Sequence, residues 1–140
     1  MKTIVCAVDS SPGAAEAVKI AAGLSRDLGL RLVLAHVAEG YRLADAADSV
    51  TGRQAQERAQ RLLAQLAQEQ GLNSDADVRA EAGDRASELA RIAGEEAAAV
   101  IVVGSRSRGR RRHRPLSGLA VELNGTAPCP VLVVPPVARG

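Results

Sequence analysis

Apolar residues recur along this chain in two rhythms, and each change of rhythm predicts a new element. Thr3 to Val8 is a β-branched apolar run that ends at Asp9-Ser10-Ser11-Pro12-Gly13. The run predicts a strand. Ser11 and Pro12 predict a helix start, with serine as N-cap and proline at the first helical position, where no N–H is needed. Ala14, Val18, Ala21 and Ser25, flanked by Ala17, Leu24 and Leu28, then recur at helical spacing as far as Gly29. Leu30 to Val37 is a second apolar run and predicts a second strand. Strand, amphipathic helix and strand within residues 3–37 form a βαβ unit, whose crossover is right-handed almost without exception.

Residues 38–50 have no clear period and include Gly40 and Tyr41, which predicts a loop. A helix follows from about Ser49 to Gln70, with Ala59, Leu62, Leu63, Leu66 and Ala67 as its stripe and Gly71 as C-cap. From Asp75 to Glu81, charged residues alternate with Ala76, Val78 and Ala80, the pattern of a strand at a sheet edge with an exposed face. Gly83-Asp84 opens another helix with Asp84 as N-cap and Ala86, Leu89, Ala90, Ala93 and Ala97 on one side. Ala98 to Val103 is unbroken in its apolar character, as in a strand buried on both faces, and stops at Gly104. A short helix is expected from about Leu116 to Leu123. Val131 to Val134, with prolines on both shoulders, is expected to be a fifth strand at the other edge.

This alternation predicts an α/β fold: a doubly wound, open, five-stranded parallel sheet with helices on both faces, Rossmann-like, in one domain over residues 1–140. In such sheets ligands lie beyond the carboxyl ends of the strands, where the strand order reverses. Three predicted segments leave carboxyl ends with suitable chemistry: Asp9-Ser10-Ser11, His36-Val37-Ala38, and Gly104 onward.

Composition narrows the function. With one tyrosine and no Phe or Trp, the chain lacks aromatic platforms for single-stranded nucleic acid and aromatic cages for quaternary ammonium groups. Its 27 alanines favour helices that pack close to whatever they cover. No run approaches the roughly 20 apolar residues of a membrane span. Asp9 interrupts the first apolar run before a signal-peptide core could form, so a cytoplasmic location is expected. Cys6 and Cys129 have no metal-ligand spacing and read as reduced thiols. His36 and His113 are the only histidines. A single histidine near a strand end reads as a satisfied structural residue rather than a ligand. No G-x-S-x-G and no nucleophile with an evident base is present, so nucleophilic catalysis is not expected.

Net charge is +2, yet Arg106, Arg108, Arg110, Arg111, Arg112 and Arg114 stand in one acid-free stretch after Gly104. Without those six arginines the chain has 12 basic against 16 acidic residues, a net of −4. A glycine at the end of a buried strand allows a sharp turn that offers backbone N–H groups to an anion. The helix near Ser117-Gly118 adds its positive end to the same region. The G-x-x-x-x-G-K-[ST] phosphate motif is absent: Gly104 and Gly109 have the outer spacing, but Arg110 and Arg111 replace its last two residues.

Five separated segments carry a family resemblance: Ala-Val-Asp-Ser-Ser at 7–11, Leu-Ala-His-Val at 34–37, Ala-Gly-Asp-Arg-Ala at 82–86, Val-Ile-Val-Val-Gly-Ser-Arg-Ser-Arg-Gly at 100–109, and Ala-Pro-Cys-Pro-Val-Leu-Val-Val at 127–134. In order and spacing the chain resembles the universal stress protein family. That resemblance implies a signalling or stress-adaptation module rather than an enzyme, with slow ATP hydrolysis at most. Members that hold ATP carry a glycine, two residues, a glycine, nine residues, then a glycine followed by Ser or Thr. Here Gly104 keeps the first position, Ser107 replaces the second glycine, and Ser117-Gly118 reverses the last pair. If position 107 needs φ above zero, its Cβ costs on the order of 1 kcal/mol.

By this resemblance ATP, with Mg²⁺ as a possible companion, would contact Ala7, Asp9 and Val37 around the adenosine. The phosphates would meet Val103, Gly104, Ser107, Arg108, Ser117, Gly118 and Leu119. The resemblance also implies a homodimer through Val131–Val134, and an apolar edge strand invites such pairing on its own account. Two other readings stay open: a stress-protein scaffold that binds no nucleotide, favoured by the changes at 107 and 117–118, and a polyanion binder using Arg106–Arg114. The lack of aromatics and the acidic remainder count against nucleic acid as that polyanion.

Overall fold

The computed structural model describes residues 2–9, 13–38, 50–72, 75–104 and 118–135. Within them lie strands β1 (Thr3–Ala7), β2 (Arg31–Ala38), β3 (Ala76–Ala82), β4 (Ala98–Gly104) and β5 (Val131–Val134). Helices α1 (Gly13–Leu28), α2 (Val50–Glu69), α3 (Arg85–Glu95) and α4 (Gly118–Thr126) connect them. Every strand pairing is parallel, and the order across the sheet is β3-β2-β1-β4-β5. The chain moves outward from β1 through β2 to β3, then crosses back to β4 and β5, so the order reverses between β1 and β4.

Alternation along the central strands sorts the core into two layers. Ile4, Cys6, Leu32, Leu34 and Val102 face one way and are covered by Ala17, Val18 and Ala21 of α1 and Leu63 and Leu66 of α2. Val5, Val33, Ile101 and Val103 face the other way, under Leu89, Ile92 and Ala93 of α3 and Ala120 and Leu123 of α4. Alanines make up most of the buried side of α1, so its backbone can lie close on the sheet. Each fully buried leucine, such as Leu63 or Leu89, contributes roughly 1.5–3 kcal/mol.

The helix ends follow local chemistry. Gly71 has φ +69, and its neighbour Leu72 donates its N–H to the carbonyl of Ala67 at 2.8 Å, the closing bond of a glycine-terminated helix. The Asp84 carboxylate accepts the Ser87 N–H at 3.0 Å and caps α3 as expected. That hydrogen bond holds the Asp84 carboxyl below the usual carboxylate range.

Two details of the sequence reading need correction. Ala97 was expected on the apolar side of the third described helix, but α3 stops at Glu95 and Ala97 is exposed, with φ 52. The 3.6-residue period cannot extend past the helix end. Ile92, which the reading left out, is fully buried on that side. The strand expected over Thr3–Val8 also ends one residue early, at Ala7, although the Val8 N–H still reaches the Ala35 carbonyl at 2.7 Å.

Both expected edge strands are at edges. The charged residues of β3 are tied into a network of ion pairs, with Asp77 and Val78 exposed. Arg79 bridges Glu81 at 3.0 Å, Glu95 at 2.9 Å and Glu96 at 3.2 Å, and Arg91 bridges Glu88 at 2.5 Å and Glu95 at 2.7 Å. Arg31 pairs with Asp77 on the same edge. The Glu95 carboxyl is held down by its hydrogen bonds from Arg79 and then Arg91. The cap at Ser11-Pro12, the loop over 39–49, the start of the last helix at Leu116 and the arginines of 106–114 lie outside the described residues. Among the described residues, no helix is long and apolar enough to cross a membrane.

Candidate functional site

Where the strand order reverses, an open, shallow cleft lies at the carboxyl ends of β1 and β4. Parallel strands all end on this side, so loops from separate parts of the chain meet here. The cleft is lined by Ala7 and Asp9 from β1 and its exit, Val37 from β2, Val103 and Gly104 from β4, and Leu119 from α4. These are six of the ten positions marked in the sequence. Gly118 begins α4 but stands outside this wall. Ser107, Arg108 and Ser117 lie outside the described residues.

Gly104 has a steric role that is visible in the coordinates. A Cβ built on it would lie 2.9 Å from the carbonyl oxygen of Gly13 and 3.2 Å from its carbonyl carbon. Both atoms are main chain, so neither can swing aside. Only glycine lets the end of β4 press against the first residue of α1, and that contact closes one side of the cleft. Ala14, in the first turn of the 16-residue α1, also lines it. The positive end of that helix therefore borders the space.

Five further residues line the cleft without being marked as contacts: Val8, Ala14, Ala35, Arg85 and Leu89. Arg85 is the informative one. It is the first residue of α3, directly after the Asp84 cap, and lines the cleft. Its presence in the Ala-Gly-Asp-Arg-Ala segment was the one available signal. Arg85 and Asp9 are the charged residues of an otherwise apolar wall.

His36 is close to the site but not in its wall. Its ring Nδ1 lies 2.7 Å from the Val8 carbonyl oxygen, so Nδ1 carries a hydrogen and donates. The histidine is thus the satisfied structural residue that its strand position predicts. Burial pushes the Cys6 thiol up to about 12, and Cys129 is half-buried with its thiol also raised by burial. Neither thiol is activated. Among the described residues, no cluster of three or more His, Cys, Asp or Glu side chains is placed to hold a metal ion.

A parallel five-stranded sheet whose strand order reverses between β1 and β4 defines the Rossmann-like α/β class. Comparison with known proteins makes the assignment specific. The model of the universal stress protein family matches residues 1–135, and the chain belongs to that family. A search of curated proteins finds no match to it. Among solved structures, it is similar to the universal stress protein UspA from Lactobacillus plantarum at 19% identity, covering 95% of this chain and 97% of that one, with TM-score 0.78. It is also similar to a universal stress protein in complex with cAMP, at 19% identity, 95% and 96% coverage and TM-score 0.71. A third is the universal stress protein from Archaeoglobus fulgidus in complex with dAMP, at 20% identity, 95% and 97% coverage and TM-score 0.68. These likenesses establish the fold.

Proposed function

We propose that this universal stress protein is a cytoplasmic stress-response module that binds an adenine nucleotide, ATP above all, in the cleft between β1 and β4. The observation that carries the reading is the convergence of Ala7, Asp9, Val37, Val103, Gly104 and Leu119 on one cleft. Similar folds have been solved with cAMP and with dAMP, which supports an adenine ligand. Ala7 and Val37 would wall the base, and the Asp9 carboxylate would accept hydrogen bonds from ribose hydroxyls. Val103 and Gly104 would lead the phosphates toward Ser107, Arg108, Ser117 and Gly118. The six arginines of 106–114 would offset the lost glycine at Ser107 by direct charge. Mg²⁺, if it accompanies the ligand, would be held by the phosphates. The module would signal by occupancy, with at most slow hydrolysis.

The protein would act as a homodimer through Val131–Val134. Leu132 on β5 and Val121 on the neighbouring α4 are 38% and 60% exposed, an apolar margin on the free edge of the sheet. One observation favours a second reading, a dimeric scaffold without nucleotide: Ser107 and the Ser117-Gly118 pair depart from the ATP-holding pattern. Calorimetric titration with ATP decides between them, with native mass spectrometry of the purified protein reporting bound nucleotide and subunit count together. The expected result is a Kd well below 1 mM. Binding at 1 mM or weaker, about −4 kcal/mol, overturns the nucleotide reading in favour of the scaffold.

A further inference from the structure

We infer that His36 is a positioning residue for the nucleotide cleft: its imidazole holds the main chain that carries Asp9. The inference rests on the nucleotide reading above and adds a residue that does not touch the ligand.

β2 reads Arg-Leu-Val-Leu-Ala-His-Val-Ala, and its interior is apolar except at His36. Alternation places His36 on the same face as Leu32 and Leu34, toward α1 and α2. The cleft residues Ala7, Val37 and Val103 belong to the opposite layer. His36 is therefore across the sheet from the base-binding wall, and nothing in ligand contact explains a polar ring there. Its one visible partner does. The β1 ladder with β2 runs from Thr3↔Arg31 to Ala7↔Ala35, and β1 ends there. Beyond it the Val8 N–H is held by the Ala35 carbonyl at 2.7 Å, and the Val8 carbonyl is held by the His36 ring at 2.7 Å.

Two bonds from adjacent residues of β2 thus clamp both sides of Val8. The carbonyl of Val8 and the N–H of Asp9 belong to one planar peptide unit. Fixing that carbonyl fixes the plane from which the Asp9 backbone departs, and Asp9 lines the cleft. A backbone donor at this point would extend the ladder; a side-chain donor lets β1 leave the sheet while its exit stays rigid.

Asparagine and aspartate make a closely matched test. An asparagine Nδ2 occupies nearly the same place along the side chain as histidine Nδ1 and can donate, whereas an aspartate oxygen there can only accept and would face the Val8 carbonyl. The full-length protein and its His36→Asn, His36→Asp and His36→Leu variants are titrated with ATP by calorimetry, with thermal melting recorded for each. His36→Asn is expected to stay within about threefold of the parent Kd, while His36→Asp and His36→Leu weaken binding by roughly tenfold, the scale of one lost hydrogen bond. His36→Leu is repeated in an Asp9→Asn background, where its effect on Kd should shrink to less than about twofold if the ring acts through Asp9. Equal affinity in all His36 variants, or a full tenfold effect that persists without the Asp9 carboxylate, overturns the positioning role. A variant that fails to melt cooperatively is replaced by His36→Gln, expected to lose affinity because its longer side chain moves the donor off the carbonyl. If the parent protein itself does not bind ATP, the nucleotide reading falls first and this inference with it.

Discussion

Replacing Gly104 by alanine tests the packing that shapes the cleft. The added Cβ would sit 2.9 Å from the oxygen and 3.2 Å from the carbon of the Gly13 carbonyl, against an ordinary contact limit near 3.4 Å. The obstacle is backbone on both sides, β4 and the start of α1, so relief requires one element to shift. Overpacking of this kind costs about 1–3 kcal/mol. With a urea m-value of about 2 kcal/mol/M, the midpoint should fall by roughly 0.5–1.5 M. Gly23→Ala is the internal control: it is the same chemical change in the interior of α1, with nothing within 4 Å of the new Cβ. It should raise stability by about 0.5–1 kcal/mol. Equilibrium urea unfolding followed by circular dichroism reads both. If Gly104→Ala matches or exceeds the parent while Gly23→Ala behaves as stated, the close approach of β4 to α1 is not what requires glycine at 104.

Two further outcomes follow from the titratable groups. The Glu95 and Asp84 carboxyls are held below their ordinary values, by hydrogen bonds from Arg79 and Arg91 and from the Ser87 N–H respectively. A lowered folded pKa contributes stability above the unfolded value, near 4, and loses it as pH falls through the folded one. Urea midpoints should therefore be flat above about pH 5 and decline below about pH 4, with a shallower decline in Glu95→Gln; an unchanged slope in that variant would count against the network. Cys6, fully buried with its thiol pushed up to about 12, should resist iodoacetamide at pH 8 in the native state, while half-buried Cys129 reacts slowly. Peptide mapping of the adduct checks this, and a Cys6 adduct without denaturant would contradict it.

Most of the architecture was readable because each element carries its own punctuation. Gly71 after the α2 stripe, Asp84 before α3 and the prolines around β5 each act through local geometry, which sequence reasoning handles well. The failures lie where tertiary context decides. Nothing local says that the helix period stops at Glu95 and leaves Ala97 outside it. The cleft was half legible. Strand ends announce themselves, so Asp9, Val37 and Gly104 could be marked from the pattern and Ala7 and Val103 through the family resemblance, whereas Leu89 and Arg85 reach the same space only because α3 packs across β1, β2 and β4. The bond from His36 to Val8 spans 28 positions and leaves no trace in spacing.

The two margins of the sheet differ in kind, and this limits how the molecule can accumulate. One rim, β3, carries Asp77, Arg79 and Glu81, paired with Arg31 of β2 and with Glu95 and Arg91 of α3. The other, β5, is bare valine and leucine. Two copies joined along their β5 rims would leave the β3 rims outward, where Val78 stands exposed among the ion pairs. A third copy would meet alternating charge there rather than a continuous apolar seam, which disfavours growth into a fibre.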